Sequence, residues 1–279
     1  MLLNGISVVC EQFPNGECKM KEPSSFNHYG NVIEFKYEND GDLIKLFFLK
    51  EWLDNKYFSS GHSNQRTVLI VDYMPYSRMD RYIQGDVFTL RYICTFINNL
   101  KFDQIIVIDP HSHKTLKMLD RAVEIVPIYK WLPNILKTNS FNPKKDIIVF
   151  PDEGAGDRYR LPNEYKDYKV CVFEKNRDAQ TGKILGIKLK RGEVPTNSKC
   201  LIIDDLCSKG GTFTGVAKIL KEKGADKIFL AVSHCEETIF QGSLLKPDSL
   251  ISKIYTSTSM MGKIKNHPKI VYKEISLCL

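Results

Sequence analysis

Short, unbroken apolar runs alternate along this chain with stretches whose apolar residues recur every three or four positions. The runs "TVLIVDY" (67–73), "QIIVID" (104–109), "KCLIIDD" (199–205) and "KIFLAVSHC" (227–235) show no polar face, the mark of strands covered on both sides. Between them, "FTLRYICTFINNLKFD" (88–103) and "TFTGVAKILKEKGAD" (212–226) each carry one apolar face. In the second, Val216, Ile219 and Leu220 form that face, and Gly224 is placed to end the helix. Further strands are predicted at 31–37, 146–151, 168–175 and 252–259, and a helix at 42–55. The segment 174–197 alternates and carries Gly182 and Gly192, so it reads as an exposed hairpin or flap.

The order strand, acidic loop, helix, strand, histidine occurs twice. Strands that alternate with helices predict a mostly parallel sheet flanked by helices, joined by right-handed crossovers. The repetition predicts two similarly built α/β domains, residues 1–125 and 126–279.

Composition narrows the classes. The 279 residues are 43% hydrophobic and 26% charged, as expected for a soluble globular chain. No apolar run approaches the ~20 residues that span a bilayer, and the N-terminal stretch lacks the basic start and cleavage site of a signal peptide. The eight cysteines show no C-x-x-C spacing, so they predict neither zinc nor a redox motif but free thiols in a reducing, cytoplasmic setting. A net charge of +7 fits a lysine-rich surface or small phosphorylated ligands. Neither an aromatic-interleaved basic helix nor zinc-finger spacing points to nucleic acid. The expected partners are small-molecule substrates, with no nucleic acid and no membrane.

Ligands of open α/β sheets collect at the carboxyl ends of the strands. Asp204 and Asp205 end one strand, and Ser208, Lys209, Gly210, Gly211 and Thr212 open the next helix. Glycines let backbone N–H groups curl around an anion, and a helix N-terminus adds positive potential. Two carboxylates beside such a cradle suit a phosphorylated ribose, the acids accepting from the diol. An ordinary strand-to-helix turn with an Asp cap is the plainer alternative.

"LIIDDLCSKGGTF" resembles the ribose-phosphate binding motif of the phosphoribosyltransferase fold. "MPYSRMDR" (74–81) resembles the Pro-Tyr-Ala-Arg-Gln-Asp-Arg signature of ribose-phosphate pyrophosphokinases. "FPNGE" (13–17), "VIDPH" (107–111), "FPDEGAGDR" (150–158), "EKNR" (174–177) and "VSHC" continue the likeness in order, over most of the chain. The resemblance implies two phosphoribosyltransferase-type domains, with ATP on the first and the ribose-phosphate loop and flap on the second. It implies transfer of the β,γ-diphosphate of ATP to the C1 hydroxyl of ribose 5-phosphate, in nucleotide biosynthesis, with Mg²⁺ as cofactor and ATP as co-substrate. It implies ATP binding by Phe13, Asn15, Glu17, Arg78 and Arg81, catalysis by Lys175, Arg177 and His111, and a metal near His111 and Asp152. Asp109, His113 and His234 are weaker candidates. The adenine loop of the family reaches a neighbouring subunit, which implies a homo-oligomer, a dimer or hexamer. The bland counterparts are a surface salt bridge of Arg78 or Arg81 with Asp80, a structural histidine, and a solvated charged turn at 174–177.

Three departures stand out. The chain looks short at both ends relative to the family, so assembly contacts and regulatory sites are expected to differ. Met79 replaces the signature glutamine. The phosphate loop, usually Asp-Thr-Ala/Cys-Gly-Thr, reads Ser208-Lys209-Gly210-Gly211-Thr212. The added positive charge raises an alternative acceptor with a 5′-diphosphate, ADP-ribose, which would place the enzyme in NAD salvage. A phosphoribosyltransferase and a non-catalytic synthetase subunit are the other readings. The first has no need of "MPYSRMDR", and the second has no need of His111, Asp152, Lys175 and Arg177.

Overall fold

The computed structural model describes residues 1–60, 66–83, 85–177, 184–262 and 264–275. Two compact units divide the chain, Met1–Ile125 and Val126–Leu279.

The first unit holds strands β1 (Leu2–Leu3), β2 (Ile6–Ser7), β3 (Cys10–Gln12), β4 (Cys18–Met20) and β5 (Gly30–Phe35), then helix α1 (Gly41–Ser60), β6 (Arg66–Val71), α2 (Thr89–Asn99), β7 (Gln104–Ile108), α3 (Lys114–Met118) and β8 (Ala122–Ile125). Its six-stranded sheet runs β2-β1-β5-β6-β7-β8. Strands β5 to β8 are parallel and β1 is antiparallel to both neighbours. The antiparallel hairpin β3–β4 stands apart from that sheet. Helix α2 buries Leu90, Cys94 and Ile97, one stripe at helical spacing. They join Leu46, Leu49 and Leu53 of α1 and Leu69, Val71 and Val107 of the strands in one core.

The second unit holds α4 (Pro127–Thr138), β9 (Ile147–Phe150), α5 (Glu153–Arg158), β10 (Lys169–Arg177), β11 (Ile184–Arg191), β12 (Lys199–Cys207), α6 (Gly211–Glu222), β13 (Lys227–Cys235), β14 (Ile251–Thr256) and β15 (Ile270–Tyr272). Its sheet runs β11-β10-β9-β12-β13-β14-β15. All pairs are parallel except the β10–β11 hairpin. Strand β9 is buried at every position, and β13 at all but its first. Layers on both faces explain why these strands read as continuous apolar runs. Phe213, Val216, Ala217 and Leu220 of α6 cover one face; Ile128, Trp131, Leu132 and Ile135 of α4 cover the other. Each of the larger of these side chains contributes about 1.5–3 kcal/mol of burial.

Helix α1 extends to Ser60, beyond the predicted residue 55. Helix α6 stops at Glu222, and Gly224 follows at φ +93°, a conformation glycine adopts without strain. The predicted flap is the β10–β11 hairpin; its tip, with Gly182, lies outside the described residues. Cys10 and Cys18 are half-buried free thiols, and Cys94, Cys171, Cys200, Cys207 and Cys235 are buried free thiols; Cys278 lies outside the described residues. Among the described residues no helix is long and apolar enough to cross a membrane.

Candidate active site

The carboxyl edge of the second sheet gathers the acids. Asp204 and Asp205 lie near the carboxyl end of β12, which runs on to Cys207, and β9 leads into Asp152. The two adjacent acids have different surroundings. Asp205 is buried and ion-paired with Arg158 at 2.7 Å. Asp204 is half-buried and accepts the Asp205 N–H at 3.0 Å. Burial, and then the nearby Asp205 and Asp152 carboxylates, push the Asp204 carboxyl well above the usual range, against the pull of Lys175.

Asp152 caps α5, its Oδ1 accepting the Ala155 N–H at 2.8 Å, a standard use of Asp at a helix start. Its other oxygen is ion-paired with Lys175 of β10. Burial alone would raise this carboxyl; the Lys175 ammonium and the Ala155 N–H outweigh it and hold the group below its ordinary value. Strand β10 therefore delivers Lys175 to the acids through parallel pairing with β9. The backbone of Arg177 pairs with Ile184, while its side chain lies outside the described residues. Lys188–Glu174 at 2.7 Å and Lys190–Glu153 at 2.7 Å tie the hairpin down. An open groove of about 570 Å³ beside it is lined by Glu153, Glu174, Lys175, Asn176, Ile187 and Lys188.

The loop after β12 is built against the segment that follows β13. Gly210 stands at φ +82°, and a Cβ there would come within 2.2 Å of Leu244. A Cβ on Gly242 would come within 2.0 Å of the Lys209 carbonyl oxygen. Gly210 thus makes room for the Leu244 side chain, and Gly242 lets two backbones touch. Ser208 Oγ lies 3.0 Å from Thr238 Oγ1, and Thr238 donates to Glu236 Oε2 at 2.9 Å. A carboxylate only accepts, so Thr238 spends its one proton on Glu236 and Ser208 donates to Thr238. Thr214 and Ser243 hydroxyls meet at 2.8 Å. Lys209 and Gly211 are exposed, and Thr212 is half-buried. The first turn of α6 leaves backbone N–H groups without partners inside the helix.

In the first unit, Phe13, Asn15 and Glu17 sit exposed in the β3–β4 turn. The Phe13 N–H donates to the Glu17 carbonyl at 2.9 Å, and Asn15 accepts the Glu17 N–H at 3.2 Å. Arg78 and Arg81 are exposed on the loop after β6. Arg81 lies 4.0 Å from Asp80, the limit of an ion pair. Asp80 instead accepts the Ser112 hydroxyl at 2.7 Å, and its carbonyl accepts from Lys114 at 2.7 Å. His111 is half-buried and Asp109 buried at the carboxyl end of β7, with Asp109 at φ +34°. His113 is exposed. His234 is wholly buried, its Nδ1 2.7 Å from the Ser259 hydroxyl, a structural setting.

Residues 164–262 match the family of the phosphoribosyl transferase domain. The ribose-phosphate pyrophosphokinase of Pyrococcus abyssi (strain GE5 / Orsay) is 30% identical over 236 residues, covering 83% of this chain and 77% of that enzyme. The chain belongs to the ribose-phosphate pyrophosphokinase family. The ribose-phosphate pyrophosphokinase of Sulfurisphaera tokodaii is 28% identical over 225 residues, covering 80% of this chain and 74% of that enzyme. A crystal structure of phosphoribosylpyrophosphate synthetase from Mycobacterium smegmatis matches with a TM-score of 0.75 at 17% identity, covering 96% of this chain and 85% of that one, which shows the shared fold. Ribose-phosphate pyrophosphokinases are diphosphotransferases that use ATP.

Arg158, Thr238, Glu236, Gly242 and Leu244 were not singled out by sequence reasoning. Arg158 does close the quoted run "FPDEGAGDR"; the others follow "VSHC" and carry no spacing that marks them. Magnesium can be tested against the donors present. Among the described residues no group of three or more His, Cys, Asp or Glu could hold a metal ion. Mg²⁺ asks for less: one or two carboxylates and substrate phosphate oxygens. The Asp152 carboxylate fits as a hard oxygen donor.

Proposed function

We propose that this protein transfers the β,γ-diphosphate of ATP to the C1 hydroxyl of ribose 5-phosphate, releasing AMP. The carrying observation is the β12–α6 junction: an acid pair near the strand end, one member of which is ion-paired with Arg158, followed a few residues on by a glycine loop at a helix N-terminus. Asp204 accepts from the ribose diol, while Asp205, fixed by Arg158, holds the strand end in place. Ser208, Lys209, Gly210, Gly211 and Thr212 form the 5-phosphate cradle, with backbone N–H groups as the main donors.

In the reaction the C1 oxygen bonds to the β-phosphorus and gives up its proton. The bond from that phosphorus to the α,β-bridging oxygen breaks, and AMP leaves with the oxygen. Such transfers depend on positioning and on charge placed where it develops. Lys175 and Arg177 supply that charge from the β10–β11 hairpin, and a hairpin closing over the site would exclude water. Phe13, Asn15 and Glu17 bind adenine; Arg78 and Arg81 hold the phosphates, with His111 beside them. Mg²⁺ neutralises phosphate charge when bound, and Asp152 would hold it. Because magnesium prefers oxygen, His111 serves better as a phosphate partner than as a direct ligand. The exposed Phe13 hairpin favours the homo-oligomer implied by the family, and the free thiols favour a reducing, cytoplasmic setting.

The relatives' names give no support to ADP-ribose as acceptor, and the exposed Lys209 side chain gives no reason to prefer it. The test is AMP release from ATP and Mg²⁺ with ribose 5-phosphate and ADP-ribose side by side. Turnover with ribose 5-phosphate supports the proposal. Turnover with ADP-ribose alone replaces the acceptor, and no AMP with either removes the activity.

A further inference from the structure

We propose that Asp40 is a positioning residue for nucleotide binding: through two tyrosine hydroxyls it fixes the 74–81 loop, and with it Arg78 and Arg81. The inference rests on the ATP role proposed above for those arginines.

Asp40 lies between β5 and α1, and its carbonyl accepts the Leu43 N–H at 3.1 Å. Its Oδ1 accepts the Tyr37 hydroxyl at 2.6 Å and also the Tyr76 hydroxyl. The two rings stand 6.1 Å apart, centre to centre. One carboxylate oxygen thus ties the loop after β5 to the loop after β6. The two hydroxyls, Tyr37 first, hold the Asp40 carboxyl below its ordinary value; the bond to Asp40 raises the Tyr76 hydroxyl.

Tyr76 needs such a tether. Its φ is +60°, a left-handed conformation that is uncommon and strained for a bulky residue. Strain of this kind persists only where the surroundings impose it. Met74, Pro75 and Ser77 are buried, which anchors the inner side of the loop. Asp80 is anchored by Ser112 at 2.7 Å. Tyr76 lies between these anchors, half-buried, and Asp40 grips the far end of its ring. Without that grip the residue can relax toward the right-handed region, turning Arg78 two positions on. Asp40 is itself exposed, so it adds little to global stability. Short charge-assisted O–H···O⁻ bonds are directional, and direction is what an arginine loop requires.

The experiment uses the full chain. ATP affinity in Mg²⁺ is measured by calorimetry for wild type, Arg78→Ala, Asp40→Ala, Asp40→Asn and Tyr76→Phe, with melting temperatures, kcat and both KM values alongside. Asp40→Ala and Tyr76→Phe should each weaken ATP about tenfold, leaving the melting temperature, kcat and the KM of ribose 5-phosphate nearly unchanged. Asp40→Asn keeps an acceptor oxygen and should restore most of the affinity. Weakening by Arg78→Ala with wild-type affinity in Asp40→Ala overturns the inference alone. Wild-type affinity in Arg78→Ala overturns the nucleotide role of the loop and the inference with it.

Discussion

Arg158 grips Asp205 across 2.7 Å with both side chains nearly out of reach of water, 10% and 4% exposed. A buried pair gains little over an apolar replacement of both partners, but losing one partner leaves an uncompensated charge. Arg158→Met should therefore lower the unfolding free energy by about 3–5 kcal/mol, read by urea denaturation. Adding Asp205→Asn should recover most of the loss. Equal stability of Arg158→Met and wild type would mean that other groups neutralise Asp205.

Lys175 gives a different signature. It is half-buried, and its partner Asp152 keeps the Ala155 N–H bond when the ammonium is lost. Lys175→Ala should cut kcat about 100- to 1,000-fold, by analogy with the loss of one oxyanion donor, and change either KM little. The same substitution removes the ammonium that lowers the Asp152 carboxyl, which should then titrate higher in a carboxylate NMR experiment. A kcat loss below about tenfold would place the stabilising charge elsewhere.

Asp72, at the end of β6, supplies a pH test. Burial, then the Glu34 charge, pushes its carboxyl from 3.8 up to about 6. The folded state then binds the proton more tightly than the unfolded state, so stability falls as pH rises between about 4 and 6. Asp72→Asn mimics the protonated group. It should match wild type below pH 4 and exceed it above pH 6, by at most about 3 kcal/mol. Parallel stability curves across that range would rule out Asp72 as the source.

Gly242 touches no substrate in the proposal, yet the loop proposed to hold the 5-phosphate depends on it. A methyl there would come within 2.0 Å of the Lys209 carbonyl oxygen, a backbone atom that cannot swing away. Gly242→Ala should displace the loop and raise the KM of ribose 5-phosphate about tenfold or more, with the KM of ATP unchanged. Equal rises in both would mean that the displacement is not confined to the loop.

Much of this was legible from patterning. Strands β9, β12 and β13 announced themselves because layers cover both faces, and the 174–197 alternation marked the β10–β11 hairpin. Helix α4 did not, because Pro133 lies inside it and breaks the pattern that a sequence reader follows. Strands β1 and β2 have two residues each, too short for any period. The acid pair 204–205 was visible as a motif, but not that Arg158 takes Asp205 while Asp204 stands near Asp152 and Lys175. That division depends on α5 packing against β12, a contact between distant parts of the chain. The supports of the loop, Thr238 and Gly242, were hidden for the same reason.

The Glu236–Thr238–Ser208 chain has a consequence for how freely this enzyme's loop can change. With the Ser208 proton committed to Thr238, the phosphate proposed for this loop would rely mainly on main-chain donors. Main-chain donors are present whatever the side chains are. A loop that reads its ligand this way can be respelled, as Ser208-Lys209 has been relative to the family's Asp-Thr, while the glycines that shape it cannot. The grammar is kept by Gly210 and Gly242, and the vocabulary is left to drift.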